Sequence, residues 1–126
     1  MKRVWAAVAV LAVLVALCIL GLVTTVTAAD EMLRRTEQIE TCLRQSQYEE
    51  AAALTEDAID QWERKSRILC TFFSHLQLET ADKEWDALRA SLEAKVYGRG
   101  LEHCGQLTLF WNHLRKVDFP YWENVL

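Results

Sequence analysis

Val4 to Ala29 reads VWAAVAVLAVLVALCILGLVTTVTAA, 26 positions without a charged side chain, directly after Lys2 and Arg3. A helix of that length, at ~1.5 Å per residue, spans roughly 39 Å and crosses a hydrocarbon core of ~30 Å with some tilt. Everything downstream mixes polar and apolar residues, so the stretch divides the chain. Residues 1–29 are expected to be an N-terminal transmembrane anchor, and residues 30–126 a small domain hung from it. The same stretch has a second reading as a cleaved signal segment, because Val26-Thr27-Ala28 would serve as a cleavage triplet. The apolar run to about Val26 exceeds the ~7–15 residues of a signal core, and the chain looks helical again at once from Asp30, which favours the uncleaved anchor. Cys18 is no lipidation site, since Leu17 stands where a small residue is needed.

Charge sets the expected orientation. Lys2 and Arg3 lie on one side of the span, and Asp30 and Glu31 come first on the other. That asymmetry places the N-terminus in the cytoplasm and the helical domain outside it, at the cell membrane in a single pass. Trp5 fits an aromatic anchor at the inner interface.

The 97 residues from Asp30 suffice for one domain and carry twelve basic against eighteen acidic side chains. An acidic balance without a basic stripe argues against nucleic acid as a partner and against clinging to anionic lipid. Pro120 is the sole proline, and glycine is confined to Gly21, Gly98, Gly100 and Gly105. So few breakers leave little room for the turns of a sheet, and the expected class is all-α. Cys42, Cys70 and Cys104 form no Cys-x-x-Cys pair and are odd in number, which speaks against a disulfide framework or a zinc knuckle. Cys70 and Cys104 are expected to be buried as small apolar residues.

Apolar spacing divides the domain into four helical stretches. Met32, Thr36, Ile39 and Leu43 share one stripe of a helix that leaves the membrane and ends near Arg44. Ser46 with Glu49 has the capping-box spacing and predicts a new helix start. The second helix carries Ala52, Ile59, Trp62, Leu69 and Phe73 and is expected to end between Ser74 and Gln77. The third carries Leu78, Ala81, Trp85, Leu88 and Leu92. Tyr97-Gly98-Arg99-Gly100 predicts a loop with glycine at a helix C-terminus. A fourth stripe, Leu101, Cys104, Leu107, Trp111 and Leu114, stops before Phe119 and Pro120. Short connections make sequential helices antiparallel, so the product is a helical-hairpin bundle of about four helices. Its expected core is Trp62, Phe73, Trp85, Leu88, Leu92, Leu107 and Trp111. Helix pairs of this kind suggest tetratricopeptide arrays, but no self-similarity stands out at their ~34-residue period.

The chemistry-bearing residues are sparse. His75 and Glu79 stand four apart with Asp82 a turn further on, and a metal site would need another converging ligand. Ser74 beside His75 lacks a strand-turn-helix setting, no phosphate loop is present, and the carboxylate pairs Glu49-Glu50 and Glu56-Asp57 read as solvated surface. The reading is of a chain without catalytic, metal or cofactor residues, and not an enzyme. At the C-terminus Phe119, Tyr121 and Trp122 crowd around Pro120, either capping the bundle or forming an exposed aromatic patch. The expected interaction surface is therefore His75, Glu79, Asp82, Phe119, Tyr121 and Trp122.

One resemblance covers nearly the entire chain. Tyr48-Glu49-Glu50-Ala51, Trp62, Phe73-Ser74-His75, Leu78-Glu79 and Asp82 form its first half. Leu88, Leu92-Glu93-Ala94, Cys104, Leu107 and the ending from Pro120 to Glu123-Asn124-Val125-Leu126 form its second. This pattern resembles an uncharacterised family of short single-span helical membrane proteins from spore-forming clostridia and relatives. Leu76 and Gln77 stand where that family tends to carry an acidic residue. The resemblance implies a Gram-positive membrane location and a multi-span membrane protein as partner, with no activity attached. The expected function is that of a membrane-anchored, extracytoplasmic helical module that binds another membrane or extracytoplasmic protein. The alternatives are a soluble helical factor secreted after signal cleavage and a sensor domain binding a small ligand or metal between its helices.

Overall fold

The computed structural model describes residues 1–71 and 75–117. Four helices follow in order: α1 (Lys2–Arg44), α2 (Tyr48–Leu69), α3 (His75–Glu93) and α4 (Tyr97–Val117). The expectation of an all-α chain with a long apolar first helix and a bundle is met. α1 has 43 residues and α2 has 22, so α1 is about twice as long as its neighbours and only half of it can be covered. Every residue from Met1 to Leu20 is exposed, and burial begins at Gly21. The helix passes unbroken through Ala29 and Asp30, both of which lie within the packed half. It is thus anchor-like below and the first helix of the bundle above.

The bundle closes as a ring in which α1 and α3 each pack on α2 and α4. Consecutive helices run antiparallel because only a few residues join them. Trp62, Trp85 and Trp111 are its three largest fully buried side chains. Trp111 meets Trp62 at 5.0 Å between ring centroids and Trp85 at 6.2 Å. Met32, Ile39, Leu69, Leu88 and Leu107 fill the layers above and below them. Each buried indole removes ~150–250 Å² from water, so these rings are the largest apolar contribution to the fold.

Several local expectations are corrected. Ser46 does not cap α2. It sits at φ 61 in the loop, the N-cap is Gln47, and no side chain caps the helix. The Ser46 amide donates to the Leu43 carbonyl and the Gln47 amide to the Cys42 carbonyl, a Schellman closure of α1 that uses Ser46 as its left-handed residue. α2 ends at Leu69, earlier than the apolar pattern suggests, and His75 opens α3. Gly98 and Gly100 lie in the first turn of α4 and not in a loop, and no described glycine has positive φ. The turn is made one step earlier, at Lys95 with φ 59. Cys70 is exposed, whereas Cys42 and Cys104 are buried, and all are free thiols. In α2 the buried line runs through Ala51 and Ala58 in place of Ala52, which is only half-buried. Phe73 lies outside the described residues.

The two hairpins repeat one pattern at an offset of 49 positions, much longer than the period that tetratricopeptide arrays require. Leu43 corresponds to Leu92, Tyr48 to Tyr97 and Trp62 to Trp111, all identities. The second loop reproduces the first bond for bond: the Lys95 amide donates to the Leu92 carbonyl and the Val96 amide to the Ser91 carbonyl. Burial follows the same register, with Met32, Thr36, Ile39 and Leu43 matched by Ala81, Trp85, Leu88 and Leu92. Equivalent residues also touch each other. The Tyr48 and Tyr97 rings stack 3.6 Å apart with 2° between their planes, and Trp62 meets Trp111. Such contacts arise where an approximate two-fold relates the two hairpins, from which the loose α2–α3 seam, counterpart of the tight α1–α4 seam, departs. The tyrosine stack lies at the end farthest from the exposed half of α1.

This correspondence yields a stability prediction. Gly100 is the counterpart of Ala51, and a Cβ there would lie 3.5 Å from Leu43 and 3.6 Å from Leu88 and Leu92, ordinary contact distances. Gly100→Ala is expected to raise stability by about 0.5–1 kcal/mol, because glycine inside a helix loses more backbone entropy than alanine. Urea unfolding midpoints of the two proteins check it, and a lower midpoint for the variant would mean that the site cannot hold a methyl group.

Candidate functional site

The seam between α2 and α3 is the least tightly packed in the ring. It opens into a groove of about 370 Å³ lined by Trp62, Glu63, Ser66, Arg67, Asp82, Trp85 and Asp86, with Ile59 at its edge. The two indoles come from the apolar stripes of α2 and α3, and the polar rim comes from the residues that flank those stripes. Trp62 donates its Nε1 proton to Asp82 Oδ1 at 2.6 Å. Trp111, its counterpart, donates to Thr36 Oγ1 at 2.9 Å inside the core. Thr36 corresponds to Trp85, which offers no acceptor, so Trp62 turns to the carboxylate one helical turn away. The Trp85 Nε1 is buried and has no partner among the described residues.

Of the residues expected to form an interaction surface, His75, Glu79 and Asp82 all lie on α3 and are exposed. Asp82 has a structural partner in Trp62 and also lines the groove. His75 is the first described residue of α3. Phe119, Tyr121 and Trp122 lie outside the described residues. Among the described residues, no group of three or more His, Cys, Asp or Glu side chains converges as metal ligands would.

A second, wider groove of about 650 Å³ lies between α1 and α2, lined by Arg34, Glu37, Gln38, Thr41, Cys42 and Glu50 among others. The Cys42 thiol at its base is pushed up by burial and by the Glu50 carboxylate. Burial, assisted by Glu40, pushes Cys104 up to about 12. Neither thiol is ionised at neutral pH, so neither is an activated nucleophile.

Ion pairs tie the helices together outside the core. Glu31 pairs with Lys65 at 2.6 Å and with Arg35 at 3.3 Å, while Arg35 also reaches Asp57. Arg115 holds Asp30 at 2.8 Å and Arg89 holds Glu56, while His103 Nδ1 makes a hydrogen-bond contact of 2.8 Å with Glu84. The hydrogen bond from Lys65, with help from the Arg35 charge, holds the Glu31 carboxyl below the usual carboxylate range against the opposing effect of burial. A depressed folded-state pKa stabilises the fold above the unfolded value of ~4.3, and this contribution disappears as pH falls through the folded value. Glu31→Gln is therefore expected to cost about 1 kcal/mol at pH 7 and to approach the parent protein in stability only as the pH falls below the unfolded value and through the depressed folded one. Melting both proteins across pH 3–7 tests this, and a constant difference would show that Glu31 acts by packing alone.

The match to known families follows the same division as the burial. A family model described as a domain of unknown function, DUF4363, matches residues 21–125. The chain belongs to the DUF4363 family. The match starts at Gly21, where burial of α1 starts, so the DUF4363 pattern takes in the packed bundle and runs on to residue 125. No curated protein and no solved structure matches this chain.

The α2–α3 groove itself is not legible in the sequence. Asp82 stands out there only as a neighbour of His75, whereas its contact with Trp62 depends on how α3 is rotated against α2. From Gly21 onward, only Leu43, Tyr48 and Trp62 meet identical residues at the 49-residue offset, too few for the sequence alone to mark Trp62 and Trp111 as equivalent.

Proposed function

We propose that this DUF4363 protein is a single-pass membrane protein whose helical bundle stands outside the cytoplasm and binds another protein without catalysis. The observation that carries the reading is the exposed half of α1. Leu11, Leu14 and Leu20 are 61%, 55% and 58% exposed, and no bundle helix covers them. A rigid apolar helix of that length is costly in water and suited to a bilayer. The resemblance to single-span proteins of spore-forming clostridia is in keeping with a Gram-positive cell membrane. Signal cleavage after Ala28 or Ala29 would cut through a buried part of α1 and remove Gly21 and Thr25 from the bundle, which favours an uncleaved anchor.

For the partner, the α2–α3 groove offers a charged rim of Glu63, Arg67, Asp82 and Asp86 above the buried indoles, a polar concavity suited to a protein contact. Carbonate extraction of membranes followed by intact-mass measurement tests the anchor. The chain is expected in the pellet at a mass that still includes the segment from Met1 to Ala29. Soluble protein beginning at Ala29 or Asp30 would sink the reading. Protease added to intact protoplasts should degrade the bundle, and a photocrosslinker placed at Asp86 in the groove should capture a membrane or extracytoplasmic protein.

A further inference from the structure

We propose that the end of the bundle nearest the span is itself a bilayer-contacting surface, seated among phospholipid headgroups by Ile68 and Leu76 and held there by Arg67 and Lys116. The inference rests on the anchored reading of α1 and adds a second contact with the same membrane.

The geometry begins with the length of the span. A hydrocarbon core of ~30 Å takes up ~20 residues of helix, and counted from Val4 that thickness is used up near Val23. Lys65 of α2 pairs with Glu31, and Arg115 of α4 pairs with Asp30. The last turns of both helices therefore lie beside α1 just past Val23, and the burial of α1 from Gly21 onward brings the packed part down to the end of the span. No stalk separates the bundle from the span. With headgroup layers of only ~5–7 Å on each side of the core, the bundle's lower edge lies at the level of the headgroups.

The composition of that edge suits the location. Ile68 near the end of α2 is 56% exposed and Leu76 in the first turn of α3 is 74% exposed. Outside the span, only two other large apolar side chains among the described residues are comparably exposed, Val96 and Leu109. Arg67 and Lys116 are exposed in the last turns of α2 and α4. Apolar side chains beside cations, at the end of a domain whose overall charge is acidic, match a surface of acyl chains and anionic phosphates. The opposite end is closed by the Tyr48–Tyr97 stack and has no span beside it.

The test uses the full chain with Cys70→Ser and a single environment-sensitive fluorophore, reconstituted in vesicles of phosphatidylethanolamine and phosphatidylglycerol. Three positions are labelled one at a time: native Cys18, and, with Cys18→Ser, Leu76→Cys or Val96→Cys. Cys42 and Cys104 are buried and stay in place. Doxyl groups deep in the acyl chains should quench the label at position 18, and doxyl groups near the headgroups should quench the label at 76. The label at 96 should respond only to aqueous iodide. Adding Arg67→Gln with Lys116→Gln should reduce lipid quenching at 76. If position 18 is quenched by lipid while 76 behaves like 96, the seated end is wrong and the anchor stands. If position 18 also escapes the lipid quencher, the anchor fails and the seated end with it. Unchanged quenching after loss of both cations would overturn the part assigned to charge.

Discussion

Placing arginine at both Leu11 and Leu14 is expected to release the protein from the membrane while leaving the bundle folded. Each arginine near the centre of a span costs about 2.5–3.5 kcal/mol on insertion scales, so two together outweigh much of what the apolar run contributes. Both positions are exposed and precede the first buried residue of α1, Gly21, so they touch nothing in the bundle. Fractionation of cells expressing the double variant checks the first half of the expectation. Thermal melts of parent and variant, both in detergent, check the second. A variant that stays in the carbonate-washed pellet would mean that something other than α1 holds the protein there. A variant that loses its cooperative melt would mean that the lower half of α1 supports the bundle.

The second large effect is expected at the centre of the core. Trp111→Ala should lower stability by about 3–5 kcal/mol, a large share of the ~5–15 kcal/mol that holds a domain together. Trp111 is 0% exposed, contacts the rings of Trp62, Trp85 and Phe110, and donates to Thr36. Trp85→Ala should cost a similar amount for its packing alone, since its Nε1 has no partner among the described residues to lose. Thr36→Val separates the hydrogen bond from the packing. It keeps the shape but leaves the Trp111 N–H without an acceptor, at an expected cost of about 1–3 kcal/mol. Urea denaturation in a fixed detergent measures all three. A loss below about 1 kcal/mol for Trp111→Ala would be incompatible with a ring that fills the centre of the bundle.

The stripes that the spacing predicts on the third and fourth helices are the buried faces of α3 and α4, except that Leu101 is only half-buried, and the helix order follows from them. Helix ends are less accessible. Ser46 and Glu49 have the right spacing for a capping box, but Ser46 is claimed by the closure of α1, which needs a residue in the left-handed region at that point. Two local signals compete for one residue, and the geometry of the hairpin decides between them. Gly98 and Gly100 mislead in the opposite way, because left-handed turns here are made by Ser46 and Lys95 and leave both glycines inside a helix.

By itself, the order of residues determined that this chain has one uncharged span, three further helices and one buried stripe on each. These properties depend on local periodicity and on the cost of exposing apolar surface, which neighbours in sequence suffice to set. The tertiary structure alone decided which stripes face each other. It closed the helices into a ring, paired Trp62 with Asp82, left the α2–α3 seam open and brought residues 49 apart together across an approximate two-fold. A stripe specifies that a face is buried but not the rotation or level of the helix it meets, and those follow only from packing all four at once.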